Sequence, residues 1–86
     1  MPRALTIQRA VVTASERARY LERLVTRQAF YKAKECRFWV FEEAAIPGVF
    51  VEFTEANDVP TLVAAHKLSP EPPRDAARMY TQLEVP

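Results

Sequence analysis

The sequence predicts an α+β fold with the element order β-α-β-β-α-β, the ferredoxin-like arrangement, in which four strands form one antiparallel sheet. Three observations lead to this prediction. Two apolar, strand-like runs meet at a Pro-Gly turn, a helical pattern lies on either side of that pair, and a further strand-like segment lies towards each end of the chain. At 86 residues, the chain is expected to be a single domain, residues 1–86, with a modest core.

The first part of the chain predicts a strand followed by a long helix. Leu5 to Val12 is rich in β-branched and aliphatic residues and indicates the strand. Thr13 and Glu16 have the spacing of a capping box, so we expect the helix to begin there and to reach about Tyr31 or Lys34. Its predicted buried stripe consists of Ala14, Ala18, Leu21, Leu24, Val25 and Gln28. Its predicted solvated face includes Arg17, Arg19, Arg23 and Arg27.

The two middle strands are apolar on both of their faces. They are predicted over Arg37 to Glu43 and Val49 to Thr54, with Pro47 and Gly48 in the turn between them. An antiparallel sheet with one wet face would show a clean alternation of apolar and polar side chains, and these strands do not. We therefore expect the chain's own helices to cover one face and a second chain to cover the other.

A second helix and a fourth strand complete the pattern. Asn57 or Asp58 is predicted to cap this helix. Its predicted apolar face contains Val59, Leu62, Val63 and His66. The prolines of Ser69 to Pro73 end the helix and predict a loop. Met79 to Val85 alternates in the manner of a strand.

In this topology the first and third strands are central neighbours, which raises the possibility that Arg9 faces Glu52 across the sheet. A carboxylate on a central strand is expected to be buried and to need a cationic partner. A structural Arg9–Glu52 ion pair is the expectation that follows. An acid/base or substrate-anchoring role is the alternative for both residues.

Composition excludes several classes of function. The net charge of +1, without a basic cluster, argues against a nucleic-acid partner. Gly48 is the only glycine, which excludes the glycine-rich loops that bind nucleotide phosphates. One histidine and one cysteine exclude a four-ligand zinc site within one chain. No apolar run reaches the ~20 residues of a membrane span, and no segment resembles a signal peptide, so a cytoplasmic location is expected.

The stretch Glu52 to Pro70 resembles the antibiotic-biosynthesis-monooxygenase-like (ABM-like) members of the dimeric α/β-barrel superfamily. In these proteins the third strand ends in Glu and an aromatic residue, and a short helix with Leu and then His leads to a Ser/Thr-Pro pair. The matching residues here are Glu52, Phe53, Leu62, His66, Ser69 and Pro70. The resemblance implies a homodimer in which two sheets face each other and close a dimeric α/β barrel, with the helices outside.

The resemblance also implies a range of functions. The first expectation is a homodimer that binds a small, aromatic molecule and acts as a cofactor-independent monooxygenase of quinol or anthrone-like substrates, with no bound cofactor. The second is a non-catalytic dimer that serves ligand sensing or a structural role. The third is an isomerase or a haem-degrading enzyme. The haem-degrading branch has an Asn on the first strand, before its Trp and His, whereas here Asn57 follows Trp39.

His66 is the candidate base for such an oxygenase, with Glu52 as a second catalytic candidate. The unperturbed pKa of histidine lies near neutrality, and a phenol or quinol substrate must lose a proton before it reacts with dioxygen. A lone histidine on an apolar helix face is, equally, typical of a packed core residue. The candidate substrate-binding residues are Arg9, Trp39, Phe41 and Phe50. Their rings suit a flat ligand, and they suit a core or a dimer interface as well.

Overall fold

A computed structural model describes residues 2–86 and contains one four-stranded antiparallel sheet with two helices. The elements in chain order are β1 (Ala4–Val11), a 3-10 turn (Ala14–Glu16), α1 (Arg17–Ala33), β2 (Arg37–Glu42), β3 (Val49–Ala56), α2 (Val59–Leu68) and β4 (Tyr80–Thr81). The strand order is β2-β3-β1-β4, with every neighbour antiparallel. This confirms the α+β class and the central pairing of β1 with β3, and it is compatible with the ferredoxin-like topology.

The start of α1 differs from the predicted capping box. Thr13 has the extended backbone of an N-cap, but its hydroxyl lies 3.2 Å from the Oγ of Ser15 and caps no backbone N–H. The turn is closed by the main chain, where the N–H of Glu16 donates to the carbonyl of Thr13 at 3.0 Å. The helical segment therefore starts where the sequence predicts, but without the predicted side-chain bonds.

The buried face of α1 is not the predicted stripe. Its buried residues are Tyr20, Arg27 and Tyr31, while Val25 from the predicted stripe is 69% exposed. The physical reason is that polar partners face α1 from two elements. Glu52 of β3 bonds to Tyr20 and Arg27, and His66 of α2 bonds to Tyr31. The helix therefore turns the side chains that form these bonds towards the interior, and it leaves the aliphatic Val25 exposed.

The turn between β2 and β3 requires its glycine. Gly48 has a φ of +89°, which favours residues without a Cβ. A Cβ at this position would lie 2.5 Å from the carbonyl oxygen of Val12. The close approach serves a main-chain bond, since the N–H of Val12 donates to the carbonyl of Gly48 at 2.8 Å.

The second helix begins as the sequence predicts. The carboxylate of Asp58 accepts a bond from the N–H of Thr61 at 2.8 Å, and a proline occupies the first turn. The helix buries Leu62, Ala65 and His66. The segment from Ser69 to Pro73 has no regular structure, as predicted.

The fourth strand is shorter than predicted. Only Tyr80 and Thr81 pair with β1, opposite Leu5 and Ala4, and one further bond joins the N–H of Gln82 to the carbonyl of Arg3. Because β1 begins at Ala4, the later residues of the alternating segment have no strand beside them among residues 2–86. Alternation in sequence therefore overestimates the length of β4.

Both helices lie on the same face of the sheet. The core on this face combines Ala4, Phe38 and Ala56 of the strands with Tyr31 and Leu62 of the helices. No element among residues 2–86 covers the opposite face, which we call the open sheet face. Its apolar centre consists of Ile7, Trp39, Phe41, Val51 and Phe53. Ile7 is 43% and Phe41 59% exposed. The prediction that one sheet face is covered by the chain's own helices is confirmed, and a second chain on the other face stays a prediction.

Candidate functional site

Two buried polar clusters lie between the sheet and the helices, and the first surrounds His66. The hydroxyl of Thr6 in β1 lies 2.9 Å from Nε2 of His66, and the hydroxyl of Tyr31 in α1 lies 2.8 Å from Nδ1. A neutral imidazole has one donor and one acceptor nitrogen, and a hydroxyl serves either role. The histidine is 4% exposed, so both ring nitrogens are bonded inside the core.

This environment changes the acid–base chemistry of His66. Burial, with a contribution from the charge of Arg27, lowers the pKa of His66 to about 4. The ring is therefore neutral at pH 7, and it is a weaker base than an exposed histidine. The bonds and burial of His66 are those of a histidine that packs in the core.

An apolar groove of about 550 Å³ borders His66, between α2 and the segment that follows it. Val59 and Val63 form one side of the groove, and Met79 lies on the other. Since both ring nitrogens are bonded to Thr6 and Tyr31, the ring can offer a nitrogen to a molecule in this groove only if one of those bonds breaks.

The second cluster surrounds Glu52 of β3, which is 3% exposed. Its Oε1 accepts from Gln8 Nε2 at 2.7 Å and from an Arg27 guanidinium nitrogen at 2.8 Å. Its Oε2 accepts from the Tyr20 hydroxyl at 2.6 Å. Burial by itself raises the pKa of Glu52, but these three donors outweigh it and hold that pKa below the ordinary value. Burial and the bond to Glu52 raise the pKa of Tyr20.

The partners of Glu52 that the sequence prediction missed are Gln8, Tyr20 and Arg27, and Arg27 differs most from its predicted place. It was predicted to lie on a solvated helix face, yet it is 5% exposed and its guanidinium lies 4.8 Å from the centroid of the Phe38 ring. Its Nε is buried and has no hydrogen-bond partner. A signal was present in the sequence, because Tyr20, Leu24, Arg27 and Tyr31 recur at helical spacing.

The predicted pairing of Arg9 with Glu52 is wrong. The register places Gln8 opposite Glu52, and Arg9 opposite Val51. Successive side chains of a strand point to opposite faces, so a difference of one residue places Arg9 on the side of the open sheet face. Its side chain is 63% exposed and lies 4.0 Å from Glu43. The expectation that Glu52 is buried with a cationic partner is confirmed, with Arg27 as that partner.

The three candidate aromatic residues do not form one wall. Trp39 and Phe41 lie on the open sheet face with Phe53, at ring-centroid distances of 5.6 and 5.7 Å from it. Phe50 lies on the helix-covered face, where its ring centroid is 4.7 Å from that of Tyr20. The cause is the register, because Phe41 pairs with Val51 whereas Phe50 pairs with Glu42.

The candidate residues thus fall into two groups on opposite faces of the sheet. The helix-covered group is His66, Glu52 and Phe50, and the open-face group is Arg9, Trp39 and Phe41. Within residues 2–86, no group of three or more His, Cys, Asp or Glu side chains could hold a metal ion. Over the same residues, no helix is both long and apolar enough to cross a membrane.

Neither a scan against protein-family models nor searches of curated proteins and of solved structures finds a match to this chain.

Proposed function

We propose that this chain is a non-catalytic domain that forms a homodimer through its open sheet face. The observation that supports the proposal most is the exposure of a contiguous set of apolar side chains on a sheet face that no helix of residues 2–86 covers. Phe41 is 59% and Ile7 43% exposed, and the half-buried Trp39 and Phe53 stack beside them. Soluble chains seldom leave such a patch in water, because burying one Phe or Ile side chain stabilises by roughly 1.5–3 kcal/mol.

A second copy is the partner that the charges on this face favour. The rim of the face carries both signs, as shown by the pairs Arg37–Glu55 at 2.6 Å and Arg9–Glu43 at 4.0 Å. A two-fold interface brings the same patch of both subunits together, so a mixed-sign rim around an apolar centre is self-complementary. Nucleic acid or an anionic membrane would instead require a face of one positive sign.

The interior supports a non-catalytic role. Both nitrogens of His66 are bonded to hydroxyls, and both oxygens of Glu52 accept hydrogen bonds. Proton transfer requires a group that reaches the substrate and has a pKa near the working pH. Neither candidate has these properties, and the geometry supports structural roles for both.

The oxygenase expected from the resemblance is the second candidate, favoured by the apolar groove beside His66. Its test is dioxygen consumption with a panel of hydroquinones and anthrone-like phenols, by the wild type and by His66→Gln. We expect no enzyme-dependent consumption by either protein. Consumption by the wild type that is lost in a folded His66→Gln variant would establish the oxygenase and overturn the non-catalytic proposal.

The interface is tested by sedimentation equilibrium of Phe41→Asp, with Val25→Asp as a matched control. Phe41 lies on the open sheet face, while Val25 lies on α1, on the side of that helix next to β2, and is 69% exposed. An aspartate buried at a two-fold interface costs several kcal/mol for each subunit. We expect the wild type and Val25→Asp to be dimers, and Phe41→Asp to sediment at the 9.9 kDa mass of one chain. The reverse result for the two variants would assign the interface to α1.

A further inference from the structure

A second cleft lies on the helix-covered side of the sheet, away from the open sheet face. Its volume is about 340 Å³, and it lies between the end of β1, the first half of α1 and the proline-rich loop. Its charged lining consists of Arg23, Arg27, Arg74, Glu52 and Glu71, and we call it the arginine cleft. The volume lies within the range of ordinary small-molecule sites, ~300–1,000 Å³.

The arginine cleft has more donor capacity than acceptor capacity. Three guanidinium groups line it against two carboxylates. Glu52 is already occupied by three donors, from Gln8, Arg27 and Tyr20. The Nε of Arg27 is buried and has no partner, which is costly for a charged donor. An added anion would balance the excess of cations that line the cleft.

Glu71 shows which chemistry fits the cleft. One of its oxygens, Oε1, accepts from both Nε and a terminal nitrogen of Arg23, so that a single carboxylate oxygen takes two of the guanidinium donors. Glu71 belongs to the loop without regular structure, and the Arg23 and Glu71 side chains are 54% and 35% exposed. A carboxylate held by an exposed pair on a loop is exchangeable, because such pairs contribute little net stability.

We propose that the arginine cleft binds small carboxylates through Arg23 and Arg27, and that Glu71 takes the place of the ligand's carboxylate when no ligand is bound. The ligand displaces Glu71 from Arg23 and lies beside the side chain of Arg27. This site goes beyond the proposed dimer, and it lies on the opposite side of the sheet from the interface.

The test is a titration of ¹⁵N-labelled protein with sodium benzoate and sodium acetate, followed by amide chemical shifts at pH 7 and constant ionic strength. We expect saturable shifts centred on β1, α1 and the loop that carries Glu71. Glu71→Gln removes the competing carboxylate from Arg23 and is expected to tighten binding by up to about five-fold, the most that one exposed ion pair supplies. Arg23→Gln is expected to weaken it at least about ten-fold.

Arg19→Gln is the matched control, because Arg19 is on the same helix, is exposed and pairs only with Glu16 at 3.9 Å. We expect it to bind as the wild type does. The proposal is overturned if the shifts do not saturate, if Glu71→Gln weakens binding, or if Arg19→Gln weakens it as much as Arg23→Gln does. Equal responses to chloride or inorganic phosphate would also overturn it, since they indicate general attraction of anions. Sedimentation of the same samples reports the dimer separately, so that failure of one proposal leaves the other intact.

Discussion

At the residue scale, His66 illustrates how burial decides which chemistry a side chain retains. The sequence alone predicted that His66 lies on the second helix and that it is a candidate base. Its bonds to Thr6 and Tyr31 depend on β1 and α1 meeting at one point in space, which residue types along the chain do not determine. Because His66 is buried and forms those bonds, its pKa is lowered and it is a neutral residue of the core.

The lowered pKa of His66 predicts that the protein loses stability in mild acid. An unfolded chain binds the imidazole proton with a pKa of ~6.5, whereas the folded chain binds it only near pH 4. Between these values the unfolded state holds more protons, so stability falls as the pH decreases. We expect the free energy of unfolding to drop by about 2 kcal/mol from pH 7 to pH 5. Urea unfolding at a fixed protein concentration measures this drop.

His66→Gln is the control for that prediction, because it removes the imidazole, the group that takes up a proton between pH 7 and pH 5 when the chain unfolds. The lowered pKa of Glu52 acts at lower pH, where the unfolded carboxylates begin to take up protons. The variant should therefore show the same stability at pH 7 and pH 5. A wild type that is equally stable at both values would contradict the buried, neutral histidine.

The contributions of Arg27 and Glu52 to the free energy of unfolding are predicted to depend strongly on each other. Arg27→Met leaves a buried carboxylate without its cation and should reduce the free energy of unfolding by about 3–5 kcal/mol. Arg27→Met/Glu52→Leu removes both charges, so its loss should be smaller than the sum of the two single losses by more than ~1 kcal/mol. A double-mutant cycle by urea unfolding measures the difference. The exposed pair Arg19–Glu16 provides the comparison, where the same cycle should give less than ~0.5 kcal/mol.

At the scale of elements, the sequence was most informative where local chemistry determines the backbone. The turn at Gly48 was predicted, and so was a cap of α2 at Asn57 or Asp58, because each depends on residues a few positions apart. The Thr13–Glu16 capping box is equally local, but its predicted side-chain bonds do not form. The buried face of α1 was not predicted, since burying Arg27 is favourable only once Glu52 faces it from another element. The length of β4 was also missed, because pairing depends on where β1 begins.

The end of α1 allows a stabilising change. Glu35 has a φ of 61°, the left-handed region in which a side chain with a Cβ is strained. Glycine is the residue preferred at this position after a helix, so Glu35→Gly should raise the free energy of unfolding by up to about 1 kcal/mol. Lys34→Gly in the same turn is the control, because Lys34 has a φ of −101° and should lose stability. Thermal unfolding ranks the three proteins, and a Glu35→Gly less stable than wild type would contradict strain at this position.

At the scale of the whole molecule, the two faces of the sheet differ in what covers them. The sequence predicted strands that are apolar on both sides, and the structure covers one side with α1 and α2. The site could not be predicted as well as the fold, because a shift of one residue in register exchanges the faces. For this reason Arg9 lies on the opposite face of the sheet from Glu52, its predicted partner. Phe50 likewise lies on the opposite face from Trp39 and Phe41, the other candidate aromatic residues. The open sheet face that results is the basis of the proposed dimer.

The most direct test of that dimer is an isotope-filtered NOE experiment on a mixture of labelled and unlabelled chains. Only contacts between two copies give signals, so the experiment identifies both the oligomer and its interface. If the chain dimerises through its open sheet face, we expect intermolecular contacts among Ile7, Phe41 and Phe53. The absence of intermolecular contacts at millimolar concentration, or contacts confined to α1 around Val25, would contradict it.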